Sequence, residues 1–206
     1  SDPLGNTTSN SFDKAGNVIA TTDANTNATS RSYSTLSRLK TVTQNDGTQN
    51  IATQYTYDAA GNIKTVTDAE GRATVHTYDG AGRLLSVQSP LGQTVSFVYD
   101  GNGNLIRRTD PDGRVTEYEY DADNQLTTVY YGGQAAPEKT VTFTYDNVGS
   151  MLTWDDGTRS ASYTYDELNR VISMTTTYPF GSKALSYTYD RFGNRQTAVY
   201  PGGMGT

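Results

Sequence analysis

A tyrosine–aspartate pair recurs seven times along this chain at a nearly constant spacing, and this repetition restricts the fold more than any other feature. The pairs are Tyr57-Asp58, Tyr78-Asp79, Tyr99-Asp100, Tyr120-Asp121, Tyr145-Asp146, Tyr165-Asp166 and Tyr189-Asp190, and two degenerate copies, Phe12-Asp13 and Tyr33-Ser34, precede them. Successive aromatic residues of these copies are 21, 24, 21, 21, 21, 25, 20 and 24 residues apart. A period in this range indicates a stack of similar units that bury a core between neighbours, and not a globular domain around one central site.

Each repeat unit has the composition of a β-hairpin followed by a second turn. In the unit over residues 74–92, the segment 74–78 is short, β-branched and aromatic, which is typical of a strand. Residues 79–82 have Asp at the first and Gly at the fourth position of a type I turn, whose last residue adopts a positive φ. A return strand over 84–87 and the turn Ser89-Pro90-Leu91-Gly92 complete the unit. Because no segment shows a 3.6-residue apolar period, we expect an all-β chain with almost no helix.

The strand before each Tyr-Asp pair predicts one aromatic face and one polar face. Residues two apart in a strand share a face, so the residue two before each tyrosine lies beside it. These residues are Tyr55, His76, Phe97, Tyr118, Phe143, Tyr163 and Tyr187, whereas the residues between are mostly hydroxylated or charged. Cross-strand aromatic pairs contribute roughly 0.2–1 kcal/mol each, so we expect a ladder of rings to hold the array together.

The return strand departs from strict alternation, because its apolar residues are three apart, as at Ile63 and Val66. A β-bulge just after the turn glycine would absorb the additional residue. The residues expected to define the anchor and turn of each repeat are Tyr57, Asp58, Gly61, Tyr78, Asp79, Gly82, Tyr99, Asp100, Gly103, Tyr120, Asp121, Tyr145, Asp146, Gly149, Tyr165, Asp166, Tyr189, Asp190 and Gly193.

Composition excludes several classes of protein. The net charge is −6 and the 16 basic residues are scattered, so the positive stripe that binds nucleic acid is missing. The sequence has no run of 18 apolar residues, so we expect no membrane-spanning helix. It has no cysteine, which excludes disulfides, thiolate metal sites and cysteine nucleophiles. Apolar residues make up only 34%, but the 16 tyrosines compensate because each buries a large ring while its hydroxyl stays hydrated or bonded.

No set of residues predicts catalysis, a metal site or a cofactor site. His76 is the single histidine and occupies a ladder position that is Tyr or Phe in other repeats, so we expect a variant ladder residue. The aspartates of the Tyr-Asp pairs stand where a turn favours local hydrogen bonding. Equivalent residues of successive hairpins are two strands, or ~10 Å, apart, which is too far for two carboxylates to share one ion. We therefore expect a protein that is not an enzyme and holds no metal or cofactor.

A second hypothesis is a binding module whose surface recognises glycans or a partner protein. Tyr130, Tyr131, Tyr178 and Tyr200 lie off the ladder near the second turn, and exposed aromatic residues at loops often serve recognition. Trp154 falls in a return-strand slot that valine occupies in other repeats, so core packing is expected, although an exposed ring would stack on a sugar. This hypothesis predicts exposed rings on one flat face.

The motif Tyr-x-Tyr-Asp-x-x-Gly-Asn/Arg-Leu, with Asp-Pro-x-Gly about ten residues later, resembles the YD repeat of the RHS family. Its best copies here are Tyr55-Thr56-Tyr57-Asp58-Ala59-Ala60-Gly61-Asn62-Ile63 and Tyr78-Asp79-Gly80-Ala81-Gly82-Arg83-Leu84, and the resemblance covers the whole chain. Family members include bacterial RHS and polymorphic toxins, the B and C components of insecticidal toxin complexes, and teneurins. The resemblance implies tandem hairpins in one long, curved antiparallel sheet that spirals into a hollow shell, which in the toxins encloses a C-terminal toxic domain.

The repeat and the resemblance together predict one array of about nine hairpins over residues 1–206, with two degenerate repeats at the N-terminus. The turn-like segments Asp2-Pro3-Leu4-Gly5 and Pro201-Gly202-Gly203 favour a section of a longer array. Its expected role is a non-enzymatic section of a shell that encloses or presents a toxin or other effector domain. The expected partners are flanking YD repeats and an encapsulated C-terminal domain, in a secreted or cell-surface protein. Open sheet edges predict self-association.

Overall fold

The computed structural model describes residues 7–25, 27–45 and 48–200, and every regular element within these ranges is a β-strand. The expectation of an all-β chain of antiparallel hairpins is confirmed, because strands that follow one another in the chain pair in antiparallel orientation. The turn-like segments predicted at 2–5 and 201–203 lie outside the described residues. Contacts divide the chain into two compact units, residues 1–96 and 97–206.

The first unit contains eight complete strands and the beginning of a ninth. They are β1 (Ser9–Phe12), β2 (Val18–Thr22), β3 (Ala28–Tyr33), β4 (Leu39–Asn45), β5 (Asn50–Tyr57), β6 (Ile63–Thr67), β7 (Ala73–Tyr78), β8 (Leu84–Gln88) and β9 (Thr94–Tyr99). Each strand pairs with the next in the chain, and the pairing of Ser86 with Ser96 joins β8 to the first residues of β9. The unit is therefore a meander of hairpins in chain order.

The second unit continues the same order from the last residues of β9. Its strands are β10 (Leu105–Thr109), β11 (Val115–Tyr120), β12 (Leu126–Tyr131), β13 (Lys139–Tyr145), β14 (Met151–Asp155), β15 (Ser160–Tyr165), β16 (Val171–Tyr178), β17 (Gly181–Tyr189) and β18 (Arg195–Val199). Strands β16 and β17 are the longest, with eight and nine residues, and they pair as far as Tyr178 and Gly181. This hairpin consequently extends beyond the ends of its neighbours.

A β-bulge lies near the start of the return strand in eight hairpins. Tyr57 is opposite Ile63 and Thr56 is opposite Thr65, which leaves Lys64 as the additional residue. The predicted bulge is confirmed, but it lies at the second strand residue and not directly after the turn glycine. Because of it, Ile63 and Val66 face the same side as the tyrosines, which explains their spacing of three.

The two faces of the sheet differ as the alternation predicts. Tyr55 and Tyr57 are half-buried, whereas Gln54 and Thr56 between and beside them are exposed. The strand β13 repeats this pattern over residues 142–145. We call the two sides the ring face and the polar face.

Very few side chains are enclosed on all sides. Among the described residues, the buried apolar side chains are Val129, 6% exposed, and Ala161, 4% exposed, both in the second unit. Val129 lies opposite Tyr118 and Val141 in neighbouring strands. Because the core is this thin, each hairpin depends for its stability mainly on the hairpins beside it, as in other repeat proteins.

Candidate functional site

The Tyr-Asp turns of successive hairpins contact one another within each unit and form the candidate functional site. We call them the first-turn row, which consists of residues 13–17, 34–38, 58–62 and 79–83 in the first unit and 100–104, 121–125, 146–150, 166–170 and 190–194 in the second. In each turn the N–H of the first residue donates to the carbonyl of the fifth, and the N–H of the fourth donates to the carbonyl of the first. The turns that connect one hairpin to the next form the second-turn row.

An aspartate at the first position accepts hydrogen bonds within eight of the nine turns, and the hydroxyl of Ser34 takes its place in the turn 34–38. Asp79 Oδ1 accepts hydrogen bonds from the N–H groups of Ala81 and Arg83, both at 2.9 Å, and Oδ2 accepts one from Arg83 Nε at 2.6 Å. The backbone and side-chain bonds from Arg83 lower the pKa of the Asp79 carboxyl. At Asp58 the side-chain amide of Asn62, at 3.0 Å, is the largest cause of a lowered pKa. The hydrogen bonds of the folded turn therefore stabilise the ionised form of the aspartate.

The fourth residue of each first turn has a positive φ, which glycine adopts without steric cost. Gly16, Gly61, Gly82, Gly103, Gly149 and Gly193 have φ between 80° and 101°. Ser37 at 55°, Asn124 at 61° and Asn169 at 61° take the same position in the remaining turns. Among the described residues, every non-glycine residue with a positive φ lies at this position, so the first-turn row compensates for the backbone strain.

The hydroxyl of the anchor tyrosine binds its hairpin to the preceding one. It donates to the carbonyl of the first residue of the preceding return strand, as Tyr145 does to Leu126 at 2.8 Å. The same bond joins Tyr33 to Val18 at 3.0 Å, Tyr57 to Leu39 at 2.8 Å, Tyr78 to Ile63 at 3.0 Å, Tyr120 to Leu105 at 3.0 Å, Tyr165 to Met151 at 2.7 Å and Tyr189 to Val171 at 2.8 Å. A phenylalanine packs equally well but cannot donate this bond.

An arginine at the fifth turn position adds a second link to the following hairpin. Arg170 Nε donates to Asp166 at 2.7 Å, and the guanidinium carbon lies 4.5 Å from the centre of the Tyr189 ring. Arg38 lies over Tyr57 in the same way, at 5.7 Å. A guanidinium over an aromatic face contributes roughly 0.5–1 kcal/mol at an exposed site. Aspartate, arginine and the next tyrosine thus connect two hairpins through side chains.

The second-turn row uses similar turns without these links. Turns with the same backbone bonds occur at 68–72, 89–93 and 110–114. The left-handed glycines here, Gly71, Gly92, Gly113 and Gly157, have no atom within 4 Å of the place where a Cβ would stand. The other connections vary in length, from two residues between β16 and β17 to the loop 132–138 between β12 and β13. Every departure from the 21-residue period therefore falls between one first turn and the next, in the second turns and in the lengths of the strands beside them.

The polar face carries pairs of hydroxyl groups in five hairpins, and the hairpin of β11 and β12 is an exception. Thr144 and Thr153 are hydrogen-bonded across their hairpin at 2.6 Å, and four other hairpins have an equivalent pair. In the exception, Glu119 accepts hydrogen bonds from the Tyr130 hydroxyl at 2.9 Å and from Gln134 Nε2 at 2.7 Å. The bond to Glu119 is the largest cause of the raised pKa of Tyr130. The loop 132–138 therefore folds over the polar face of β11.

The aromatic residues that the binding hypothesis singled out do not share one surface. Tyr130 is on the polar face, whereas the adjacent Tyr131 is on the ring face and 45% exposed. Trp154 is half-buried on the ring face, opposite Phe143 and Ala161. Tyr178, at the end of β16, and Tyr200 are 42% and 55% exposed. Tyr130 and Tyr131 therefore do not form a common platform for stacking.

His76 is on the ring face opposite Val87, and its Nδ1 is buried without a hydrogen-bond partner.

Within residues 7–25, 27–45 and 48–200, no three His, Asp or Glu side chains are placed to hold a metal ion. The same ranges contain no long apolar helix of the kind that crosses a membrane.

Two features of the site were not predicted from the sequence. One is the hydroxyl bond between hairpins, although the sequence carries a signal for it. The anchor is tyrosine in eight of nine repeats, while the position two before it also admits phenylalanine and histidine. The other is the fifth turn residue, which is Asn, Arg, Gln or Ser throughout the row and always has a hydrogen-bond donor.

Comparisons with known proteins find the same architecture. The model of the Teneurin YD-shell family matches residues 5–137 and 134–205. The crystal structure of TcdB2-TccC3-TEV matches with a TM-score of 0.77 and 20% identity, over 94% of this chain and 11% of that chain. The Photorhabdus luminescens Tc holotoxin pore matches with a TM-score of 0.60 and 18% identity, over 94% and 15%. None of the curated proteins matches this chain.

The solved structures show a common fold over a small part of their own length, since this chain spans only 11% and 15% of them. The family model, in contrast, matches this chain almost from end to end in two overlapping segments. These segments include the Tyr-Asp turns and the strands that they connect, and the resemblance to the RHS and YD-repeat proteins is thereby confirmed. The chain belongs to the Teneurin YD-shell family.

Proposed function

We propose that this chain is a section of the wall of a protein shell that encloses or presents an effector domain. The observation that supports it most is the tyrosine hydroxyl bond, which seven hairpins donate to the hairpin before them. A link of this kind repeats without limit, because each hairpin offers the next one the same carbonyl. A surface can therefore grow by adding hairpins, which is what a wall requires and a single catalytic site does not.

The solved structures support a proposal for the nature of the enclosed domain. The matching chains are TcdB2-TccC3 proteins, and one of them is part of a Tc holotoxin pore. By analogy, the effector is a toxin domain, placed after the repeat array in the parent protein. The wall itself contributes no catalytic residue to this role.

Protease protection in the full-length parent protein tests the enclosure. We expect the segment that follows the array to resist a protease that cleaves the same segment rapidly when it is produced alone. The variant Tyr145→Ala removes a ring and a bond between hairpins, so it should expose the segment, whereas Tyr131→Ala, at an exposed ring, should not. Equal cleavage of the enclosed and the free segment would contradict the enclosure.

The partners of the wall are proposed to be flanking YD repeats on both sides. Among the described residues, β1 pairs only with β2 and β18 pairs only with β17, so each keeps one open edge. Open edges pair readily with other strands. We therefore expect this chain on its own to self-associate in light scattering, and a monomer at all concentrations would contradict the role of these edges.

A secreted or cell-surface location is the last part of the proposal, and it comes from the family resemblance. Protease treatment of intact cells that make the parent protein, followed by detection of the array, tests it. Degradation of the array, or its recovery from the medium, is expected. An array that is protected in intact cells and degraded only after lysis would contradict this location.

A further inference from the structure

At Gly61 and Gly149, the fifth residue of the preceding first turn in the same unit lies beside the left-handed fourth residue. A Cβ added to Gly61 would stand 2.6 Å from Nη2 of Arg38, a distance that real Cβ atoms do not show. A Cβ at Gly149 would stand 3.5 Å from Nε2 of Gln125. Neighbouring turns thus meet at one defined pair of positions.

Where the left-handed residue is not glycine, its side chain accepts a hydrogen bond from the fifth residue of the preceding turn. These bonds run from Asn17 Nδ2 to Ser37 Oγ at 3.2 Å, from Asn104 Nδ2 to Asn124 Oδ1 at 2.8 Å, and from Ser150 Oγ to Asn169 Oδ1. Asn104 also donates to its own aspartate, Asp100, at 2.9 Å. The donor group therefore bridges the two turns.

The residue types at the two positions depend on each other within this chain. The long fifth residues Arg38, Gln125 and Arg170 are followed by the glycines Gly61, Gly149 and Gly193. The short fifth residues Asn17, Asn62, Asn104 and Ser150 are followed by Ser37, Gly82, Asn124 and Asn169. Glycine is the sole choice beside a long side chain, whereas a short donor is also compatible with asparagine or serine.

Two opposing effects explain this dependence. A non-glycine residue with positive φ is strained, and asparagine is among the residues that tolerate it best. The bond between turns offsets the strain when the preceding donor is short. At Gly61 the long side chain of Arg38 instead fills the space above the left-handed residue, so a Cβ there would displace the guanidinium, whereas the space above Gly193 is open.

We propose that this pair of positions is a recognition code that selects which hairpins can be neighbours in the shell wall. The partner that each first turn recognises is the first turn of another YD hairpin. A short donor accepts asparagine, serine or glycine at the left-handed position of its neighbour, whereas Arg38 lies where a Cβ would stand and therefore requires glycine. The code goes beyond the wall function, because it limits which residues can stand side by side in neighbouring first turns, whatever the shell contains.

A double-mutant cycle on this chain tests the code in thermal unfolding. Gly61→Asn places a side chain against Arg38, so it should lower Tm by about twice as much as Gly71→Asn. Gly71 is the matched control, because it has a positive φ in the same unit and open space around its Cβ position. The second substitution Arg38→Asn should restore most of the Tm that Gly61→Asn loses. Additive losses in the double variant would overturn the code.

The reverse exchange at Asn104 and Asn124 provides a second, independent cycle. Asn104→Arg alone should lower Tm, because it loses the bond to Asn124 and crowds that side chain. Adding Asn124→Gly should recover the loss, because the pair then matches Arg38 and Gly61. A double variant no more stable than Asn104→Arg would count against the code. Both cycles measure unfolding of this chain, so failure of the enclosure test in the parent would leave their outcome unchanged.

Discussion

The two rows of turns are built from the same local structure but differ in what their neighbours do. The turns 79–83 and 68–72 have the same backbone bonds, and in each an aspartate Oδ2 accepts a bond from the arginine four residues later. In the first-turn row, side chains and tyrosine hydroxyls reach the adjacent hairpin. In the second-turn row, no atom lies within 4 Å of the Cβ position at Gly71, Gly92, Gly113 or Gly157, whereas Gly132 and Gly133 in the loop 132–138 do have neighbours. We infer that contacts between repeats, and not the turn itself, keep the length and the backbone conformation of the first turns constant.

The two rows of turns also differ in how much the length of the turn varies. All nine first turns contain five residues with the same pair of backbone bonds. The connections of the second-turn row range from two residues to the seven-residue loop 132–138. A turn without contacts to its neighbours can change length at little cost, because loop closure entropy grows slowly with length.

The largest expected difference comes from insertions. Two glycines inserted between Ala81 and Gly82 would break the two backbone bonds of a first turn and displace its contacts to adjacent hairpins. We expect a loss of about 2 kcal/mol or more in the free energy of unfolding, from two bonds of roughly 1 kcal/mol each. The same insertion between Glu70 and Gly71 would break the equivalent two backbone bonds. It should still cost less in total, because no atom lies within 4 Å of the Gly71 Cβ position and no adjacent turn is displaced. Urea unfolding of both variants measures this, and equal losses would contradict the distinction between the rows.

A smaller effect is expected from the tyrosine hydroxyl. Tyr145→Phe keeps the ring and removes the bond to the Leu126 carbonyl, so it should lower the free energy of unfolding by about 1 kcal/mol. Tyr131→Phe is the control, because its exposed ring belongs to the second-turn end of β12. Its stability in urea unfolding should not change. If the two variants lose the same stability, the hydroxyl does not bind one hairpin to another.

The smallest expected effect is the loss of stability at low pH. The pKa of Asp79 is lowered from 3.8 by the bonds from Arg83, and that of Asp68 is lowered by those from Arg72. Because the folded carboxyls bind protons less tightly than the unfolded ones, their stabilisation is complete above about pH 4. It is lost as the pH falls below 3.8 through the lowered pKa values.

The two rows should also differ in how much each aspartate contributes to this acid loss. The Asp79 side chain is 19% exposed and that of Asp68 is 39% exposed, so solvent screens the second ion pair more. In acid titrations followed by circular dichroism, Asp79→Asn should therefore reduce the dependence of stability on pH more than Asp68→Asn. A larger change with Asp68→Asn would contradict the difference in exposure.

The fold could be predicted from the sequence because the evidence for it is local and repeated. The Tyr-Asp-x-x-Gly turn, the alternation around residues 54–57 and the spacing of Ile63 and Val66 each depend on a few adjacent residues. A single copy of this pattern is weak evidence for a hairpin, but its recurrence at a nearly constant spacing is strong evidence for an array of hairpins. The bulge was predicted directly after the turn glycine but lies at Lys64, since spacing alone does not tell which residue is left unpaired.

The links between hairpins were harder to predict because they join residues about twenty positions apart. The Tyr57 hydroxyl donates to the backbone carbonyl of Leu39. Because every residue has a backbone carbonyl, the sequence does not indicate which one accepts this bond. The bond from Asn104 to Asn124 depends on how adjacent turns are placed, which is a property of the folded sheet. Tyr130 and Tyr131 were grouped as one surface, although adjacent strand residues face opposite sides.

Hydrogen exchange at matched turn amides tests most directly whether contacts between hairpins distinguish the first-turn row. The N–H groups of Asp79 and Gly82 and those of Asp68 and Gly71 make the same bonds, each at 3.0 Å, within one unit. We predict clearly slower exchange at Asp79 and Gly82, because adjacent hairpins must separate before that turn opens. Equal rates at the two turns, or slower exchange at Asp68 and Gly71, would contradict it.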